Sequence, residues 1–158
     1  MQWIGLLLPV AIFLLFWLLA ISSREGRAIG LTEGRLAGCP NKANCVCSEP
    51  DTRPESFIAP LQLPESVDSA EQVMPPLVAL IEQAGGRVEI RSDLYLAAVF
   101  KSRFFGFVDD LEVRLDLAER QLHFRSASRV GHSDFGVNRK RVEQLQQKLA
   151  VASGSGSG

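Results

Sequence analysis

Between residues 87 and 125 the chain runs through four successive segments whose side chains follow a strand period, separated by short turns. Arg87–Arg91 alternates, and Leu94–Lys101 is apolar at nearly every position, as in a strand covered on both faces. Leu111, Val113, Leu115 and Leu117 alternate with Glu112, Arg114 and Asp116, the pattern of a half-buried strand. After a turn over Ala118–Gln121, Leu122 and Phe124 alternate with His123 and Arg125. Four strands joined by short turns favour an antiparallel meander.

Helical periods flank that sheet. Val73, Leu77, Leu80 and Ile81 recur at helical spacing within Ser69–Ala84, where Pro75-Pro76 kinks the helix or restricts it to its second half. Gly85-Gly86 ends it, where left-handed backbone is usual. A last helix is predicted from Asn138, a good N-cap, to about Val151, with Val142, Leu145 and Leu149 on one face. The expected fold is α+β: a two-layer domain with an antiparallel sheet of about four strands and two helices on one face.

Ahead of this domain, Trp3–Ile21 contains no charge over nineteen residues. As a helix it would span roughly 28 Å, close to the hydrocarbon thickness of a bilayer. Trp3 and Trp17 sit near its ends, where indole rings favour the membrane interface, and Pro9 is tolerable in such a helix. A cleaved signal peptide fits less well: the start lacks Lys and Arg, and Ala20-Ile21-Ser22 is a poor cleavage site. The expected organisation is a transmembrane helix over 1–22, touching the bilayer through 3–21, then a loop-rich lead-in with cysteines over 23–63. The α+β domain occupies 64–152, and 153–158 has flexible-linker composition. Arg24, Arg27 and Arg35 after the apolar run would place the domain in the cytoplasm by the positive-inside rule. The cysteines argue for the opposite side.

Cys39, Cys45 and Cys47 form C-x5-C-x-C. Zinc prefers four ligands in paired short spacings, and His123 and His132 are the only histidines, so no metal or other cofactor is expected. A Cys39–Cys45 disulfide would close a short loop and stabilise by roughly 2 kcal/mol. Inert thiols and redox function are the other readings; a loop-rich exported segment favours the disulfide. Leu36-Ala-Gly-Cys39 looks like a lipoprotein box, but the polar stretch Ser22–Arg35 separates it from the apolar run, which leaves Cys39 unlipidated.

The segment from Arg125 to Arg141 concentrates Arg125, Arg129, Arg139, Lys140 and Arg141 with Ser126, Ser128, Ser133, Asp134 and Asn138. One reading is a corner held by ion pairs to Asp109 and Asp110, which as strand neighbours face opposite sides. A second is an anion site in which Arg125, Arg129, Arg139 and Arg141 meet a phosphate or carboxylate at the helix N-terminus. A third is a hydrolase centre of Ser126, Ser128, His132 and Asp134, although no G-x-S-x-G elbow surrounds those serines. Residues 49–93 carry nine acids against three bases, and 125–148 six bases against two acids, so pairing between these halves is expected. A net charge of −1 and a basic stretch without stacking aromatics exclude a nucleic-acid role.

Leu36-Ala-Gly-Cys-Pro40, Asn44-Cys-Val46, Phe107-Val-Asp-Asp-Leu-Glu112, Arg125-Ser-Ala-Ser-Arg-Val-Gly131 and Ser133-Asp-Phe-Gly-Val-Asn-Arg-Lys-Arg-Val142 resemble the domain-of-unknown-function 1499 family. The likeness covers about residues 30 to 150. Cys47 stands where that family commonly has Ser, and Gly38 where it commonly has Pro. The resemblance implies a bacterial or organellar protein with an N-terminal membrane or export segment, and no assigned activity. Together with Cys39 and Cys45 it favours a bacterial inner-membrane protein with a periplasmic domain. The functional expectation is a membrane-anchored accessory or interaction protein, with a larger membrane complex as its candidate partner. A binding domain for a lipid or amphipathic anion at the Arg-rich corner is the alternative, and a hydrolase the second.

Overall fold

The computed structural model describes residues 4–154, with side chains from 8 to 151; Trp3 and the last four residues of the linker-like tail lie outside the described residues. Helix α1 (Ile4–Arg24) comes first. A two-residue hairpin follows, β1 (Leu31–Thr32) and β2 (Arg35–Leu36), turning on Glu33 (φ 53°) and Gly34 (φ 78°). Positive φ at both turn residues matches the twist of the paired strands. Next come β3 (Cys45–Cys47), β4 (Leu61–Gln62) and α2 (Met74–Gln83). The meander is β5 (Arg87–Arg91), β6 (Tyr95–Lys101), β7 (Val108–Asp116) and β8 (Gln121–Ser128), and α3 (Val137–Gly154) closes the chain.

Antiparallel pairing joins the main sheet in the order β3-β8-β7-β6-β5, and β4 also pairs with β8. The lead-in is therefore structural: β3 and β4 together cap the outer edge of β8, so the sheet has six strands. At the other edge β5 is exposed, charged and bulged between Val88 and Ile90, features that discourage further strand addition.

Leu96, Ala98, Phe100, Leu111, Val113, Leu115, Leu122 and Phe124 form one apolar face of the sheet. Met74, Leu77 and Ile81 of α2 and Val142, Leu145 and Leu149 of α3 pack on it. Full burial of such a side chain contributes about 1.5–3 kcal/mol. Pro75 and Pro76 fall in the first turn of α2, where a missing N–H costs no helical bond. Gly86 follows the helix because a Cβ there would come within 2.7 Å of both Ile81 Cγ2 and Phe100 Cζ.

The opposite face is also covered, contrary to the half-buried pattern of 111–117. Leu36, Cys47, Tyr95 and Ala97 cluster there, with Ala28 and Cys39 packed against them. The lead-in thus crosses the second face as a strap. Glu112 is fully buried beneath it, and Asp110 nearly so.

The transmembrane helix expected over 1–22 is overturned. Among the described residues no helix is long and apolar enough to cross a membrane. Ala20 and Ser23 are buried, which commits the last turn of α1 to the protein. Ser23 Oγ accepts the Val108 N–H at 3.2 Å, and Ser23 O accepts from Arg129 Nη1 at 3.3 Å. The described exposed run, Leu8 to Leu19, measures only about 18 Å along the helix axis.

Candidate functional site

At the end of the sheet where β7 begins and β8 ends, the Arg-rich segment makes its turn. Register places Asp109 opposite Ser128 and Asp110 opposite Ala127. Because neighbours in a strand face opposite sides, the two aspartates serve different layers. Asp110 lies under the strap and receives Arg129 in a bidentate pair, at 2.9 and 2.7 Å. Asp109 faces α3 and receives Arg141 Nη2 at 2.8 Å. Arg141 also donates to Ser126 Oγ at 3.0 Å and to Asn138 Oδ1, and its guanidinium lies 4.3 Å from the Phe100 ring centroid.

Asn138 is buried at the hub of this corner. Its Oδ1 accepts from Ser126 Oγ at 2.6 Å, and its Nδ2 donates to Asn44 O at 3.1 Å and Ser128 Oγ at 3.0 Å. The expected N-cap at Asn138 is therefore corrected: the helix begins at Val137 and Asp134 supplies the cap. Asp134 Oδ1 accepts the Gly136 N–H at 3.0 Å and Oδ2 the Asn138 N–H at 2.7 Å. Asn138 bridges the sheet, α3 and the lead-in instead.

The other two arginines lie apart. Arg125 is buried and donates to Glu112 Oε2 at 2.9 Å. Glu112 Oε1 in turn accepts from the Tyr95 hydroxyl at 2.7 Å and from Gly30 N at 2.8 Å. Among the described residues, Arg139 reaches only the Glu55 carbonyl, at 3.1 Å. Sequence reasoning grouped four arginines by chain proximity, and the fold distributes them over both layers. The ion-pair reading named Asp109 and Asp110 correctly, whereas the expected pairing with the acids of 49–93 is not seen: among the described residues, the carboxylates that hold the 125–148 bases are Asp109, Asp110 and Glu112, all of β7.

Farther along the strap face lies a second polar group that sequence reasoning missed. Arg114 Nε and Nη2 grip Glu49 at 2.9 and 3.2 Å, and Nη1 reaches Asp116 at 3.0 Å. Burial alone would raise the Glu49 pKa, but hydrogen bonds from Arg114 and Leu36 N, with the charges of His123 and Arg114, hold it below its usual value. His123 Nδ1 contacts Ser48 O at 3.2 Å. Burial, then the neighbouring Arg114 charge, keeps its pKa low despite Glu49 at 3.8 Å. Contact between His123 and Glu49 is accordingly that of a neutral ring beside a carboxylate at neutral pH.

The residues named for hydrolysis are dispersed. Ser126 Oγ is buried between Asn138 and Arg141, neither of which is a base. His132 is exposed, and Asp134 is engaged as the helix cap. No group of three or more His, Cys, Asp or Glu among the described residues is placed to hold a metal. Cys39 and Cys45 form a disulfide with Cα atoms 5.6 Å apart, and Cys47 is a buried free thiol.

Two surface features bear most on function. An open groove of about 230 Å³ has Phe100, Val137 and Leu145 as its floor and Lys140, Arg141 and Lys148 at its rim. The larger feature is α1 itself: large apolar side chains from Leu8 to Leu19 are 38–67 % exposed, all round the helix. Exposed apolar surface of that extent marks contact with a partner or lipid.

The family model for proteins of unknown function DUF1499 matches residues 35–149, from the strap to the last core residue of α3. The chain belongs to the DUF1499 family. The match takes in both sheet faces, the disulfide and the whole Arg-rich corner of this DUF1499 domain, and α1 precedes it. No curated protein matches the chain. No solved structure matches it either.

Proposed function

We propose that this DUF1499 protein is a non-catalytic accessory or interaction module of a bacterial membrane, with its disulfide-bearing domain on the periplasmic side. The carrying observation is α1: apolar on every exposed side from Leu8 to Leu19, yet fixed at its base by Ser23 and Arg129. A helix so fixed and so exposed is covered by lipid, which holds the domain at the bilayer surface and leaves its polar faces free for a larger membrane complex. The Cys39–Cys45 bond supports an oxidising compartment. Inward use of the corner polar groups, which bond to one another, supports a structural rather than a reactive corner.

The test is fractionation of cells producing the full chain, followed by labelling of intact cells with a membrane-impermeant thiol reagent before and after reduction. Recovery with membranes and labelling of the reduced cysteines without lysis are expected. Recovery in the soluble fraction would sink the membrane reading, and labelling only after lysis the periplasmic one. A stoichiometric partner is expected on native purification in mild detergent; monomer alone argues against the accessory role.

The groove over Phe100 favours a second reading, a binding site for an amphipathic anion whose chain lies on Phe100 and Val137 and whose charge meets Lys140 and Lys148. Native mass spectrometry of the purified protein tests it. A retained fatty acid or phospholipid lost in Lys140→Glu and Lys148→Glu variants is the expected result, and a ligand-free spectrum removes the reading.

A further inference from the structure

The turn between β6 and β7 climbs α1 instead of staying at its base. The Phe105 ring centroid lies 5.3 Å from that of Phe16 and 6.0 Å from that of Phe13, and Phe107 lies 6.3 Å from Phe16. Ser23, where β7 meets the helix, is seven residues beyond Phe16, so the turn reaches about 10–15 Å up the helix from that point. At this height the surrounding helix surface is the exposed apolar run.

The turn is built to hold its shape. Ser102 Oγ accepts the Phe107 N–H at 3.0 Å, Gly106 N donates to Ser102 O at 3.1 Å, and Gly106 adopts φ 71°. A Cβ on Gly106 would come within 2.9 Å of Arg24 Nη2, so the Arg24 guanidinium lies against the turn. Phe105 and Phe107 are spent on α1, which leaves Phe104 pointing away at 96 % exposure. Arg103 and Lys101 beside it are exposed and hold no carboxylate among the described residues. An exposed aromatic ring beside cations that hold no carboxylate among the described residues, level with an apolar helix, matches the chemistry of an anionic lipid interface: ring among the acyl chains, cations at the phosphates.

We propose that the Ser102–Phe107 turn is a second lipid contact, inserting Phe104 and placing Lys101, Arg103 and Arg24 against anionic headgroups. It rests on the reading that lipid covers α1, and adds a fixed tilt and a headgroup preference, because two separate points of contact define an orientation that one helix does not.

The experiment uses the full chain with an environment-sensitive fluorophore on Phe104→Cys or, separately, on Leu15→Cys; Cys47 is buried and Cys39–Cys45 is left oxidised. Each protein is incorporated into phosphatidylcholine vesicles carrying brominated acyl chains, with or without phosphatidylglycerol. Quenching at both positions is expected, with a phosphatidylglycerol-dependent gain at position 104 that Arg103→Gln reduces about fivefold, the effect of one cation near an anionic surface. Quenching at position 15 with none at 104 would overturn the proposal and leave the lipid-covered helix standing, with the turn assigned to a protein partner. Quenching at neither position would remove both. Equal quenching at 104 in the two vesicle types would overturn the anionic preference.

Discussion

Arg129 and Asp110 form a bidentate ion pair beneath the lead-in, with both side chains less than a tenth exposed. The same guanidinium donates to Ser23 O, so the pair also fastens the base of α1 to the sheet. Asp110→Asn removes the charge that compensates Arg129 and is expected to cost about 3 kcal/mol, as for other broken buried pairs. Chemical denaturation of the detergent-solubilised protein measures this. Asp110→Leu combined with Arg129→Met is expected to recover a large part of the loss; a double variant no better than the single would show that the charges do more than compensate each other.

Tyr95 is the chain's only tyrosine, so its ionisation can be followed by itself in the near-ultraviolet. Burial, and then its hydrogen bond to Glu112, push its pKa well above the ordinary value of 10.0. The sign follows: a folded pKa above the unfolded one gives stability that is complete below pH 10 and is lost as pH rises toward the folded value. The folded protein should show no tyrosinate step near pH 10, only one that accompanies unfolding. Glu112→Gln is expected to move the onset downward. A simple titration at pH 10 in the wild type would contradict the buried Tyr95–Glu112 contact.

Acid lability should come from the Glu49–Arg114–His123 group. His123 has a folded pKa below its ordinary 6.5, so its contribution is present above pH 6.5 and declines as pH falls through the folded value. Glu49 and Asp116 are likewise depressed, below 4.5 and 3.8, and their contributions disappear at still lower pH. A melting-temperature profile should fall in two stages on acidification. His123→Gln is expected to flatten the first stage and leave the second; an unchanged first stage would place its origin elsewhere.

Without reductant the native protein should react with no thiol reagent, because Cys47 is buried and the other two cysteines are bonded. Unfolding should expose one reactive thiol, and unfolding with reduction three. The Cys39→Ser, Cys45→Ser double variant is expected to lose about 2 kcal/mol, the entropy of closing a short loop. Rapid labelling of the folded wild type would contradict the burial of Cys47.

The meander was legible because period two survives in single strands, and Gly85, with φ 86°, announces the end of α2 locally. The strap was not. Glu112, Arg114 and His123 have the sequence pattern of a water-facing row, and only their long-range partners make burial tolerable: Gly30 N for Glu112, Glu49 for Arg114, Ser48 for His123. The β1–β2 hairpin escaped notice because Glu33, an uncommon residue at positive φ, occupies a turn position where Asn or Asp would have been a signal. At the corner, residue types identified a polar cluster but not which arginine faced which layer; pairing register decides that.

The strap has a further consequence for the order in which the chain acquires its form. Gly30 and its acceptor Glu112 are 82 residues apart, and Leu36 and Glu49 join a face completed only by β7 and β8. During synthesis from the N-terminus, the lead-in emerges before the meander and has nothing to lie on until the meander follows. Such distant contacts lengthen the folding time through the entropy of loop closure. Residues made before the sheet are thus among the last to find their place, and until they do, the charges of Asp110, Glu112 and Arg114 remain in water.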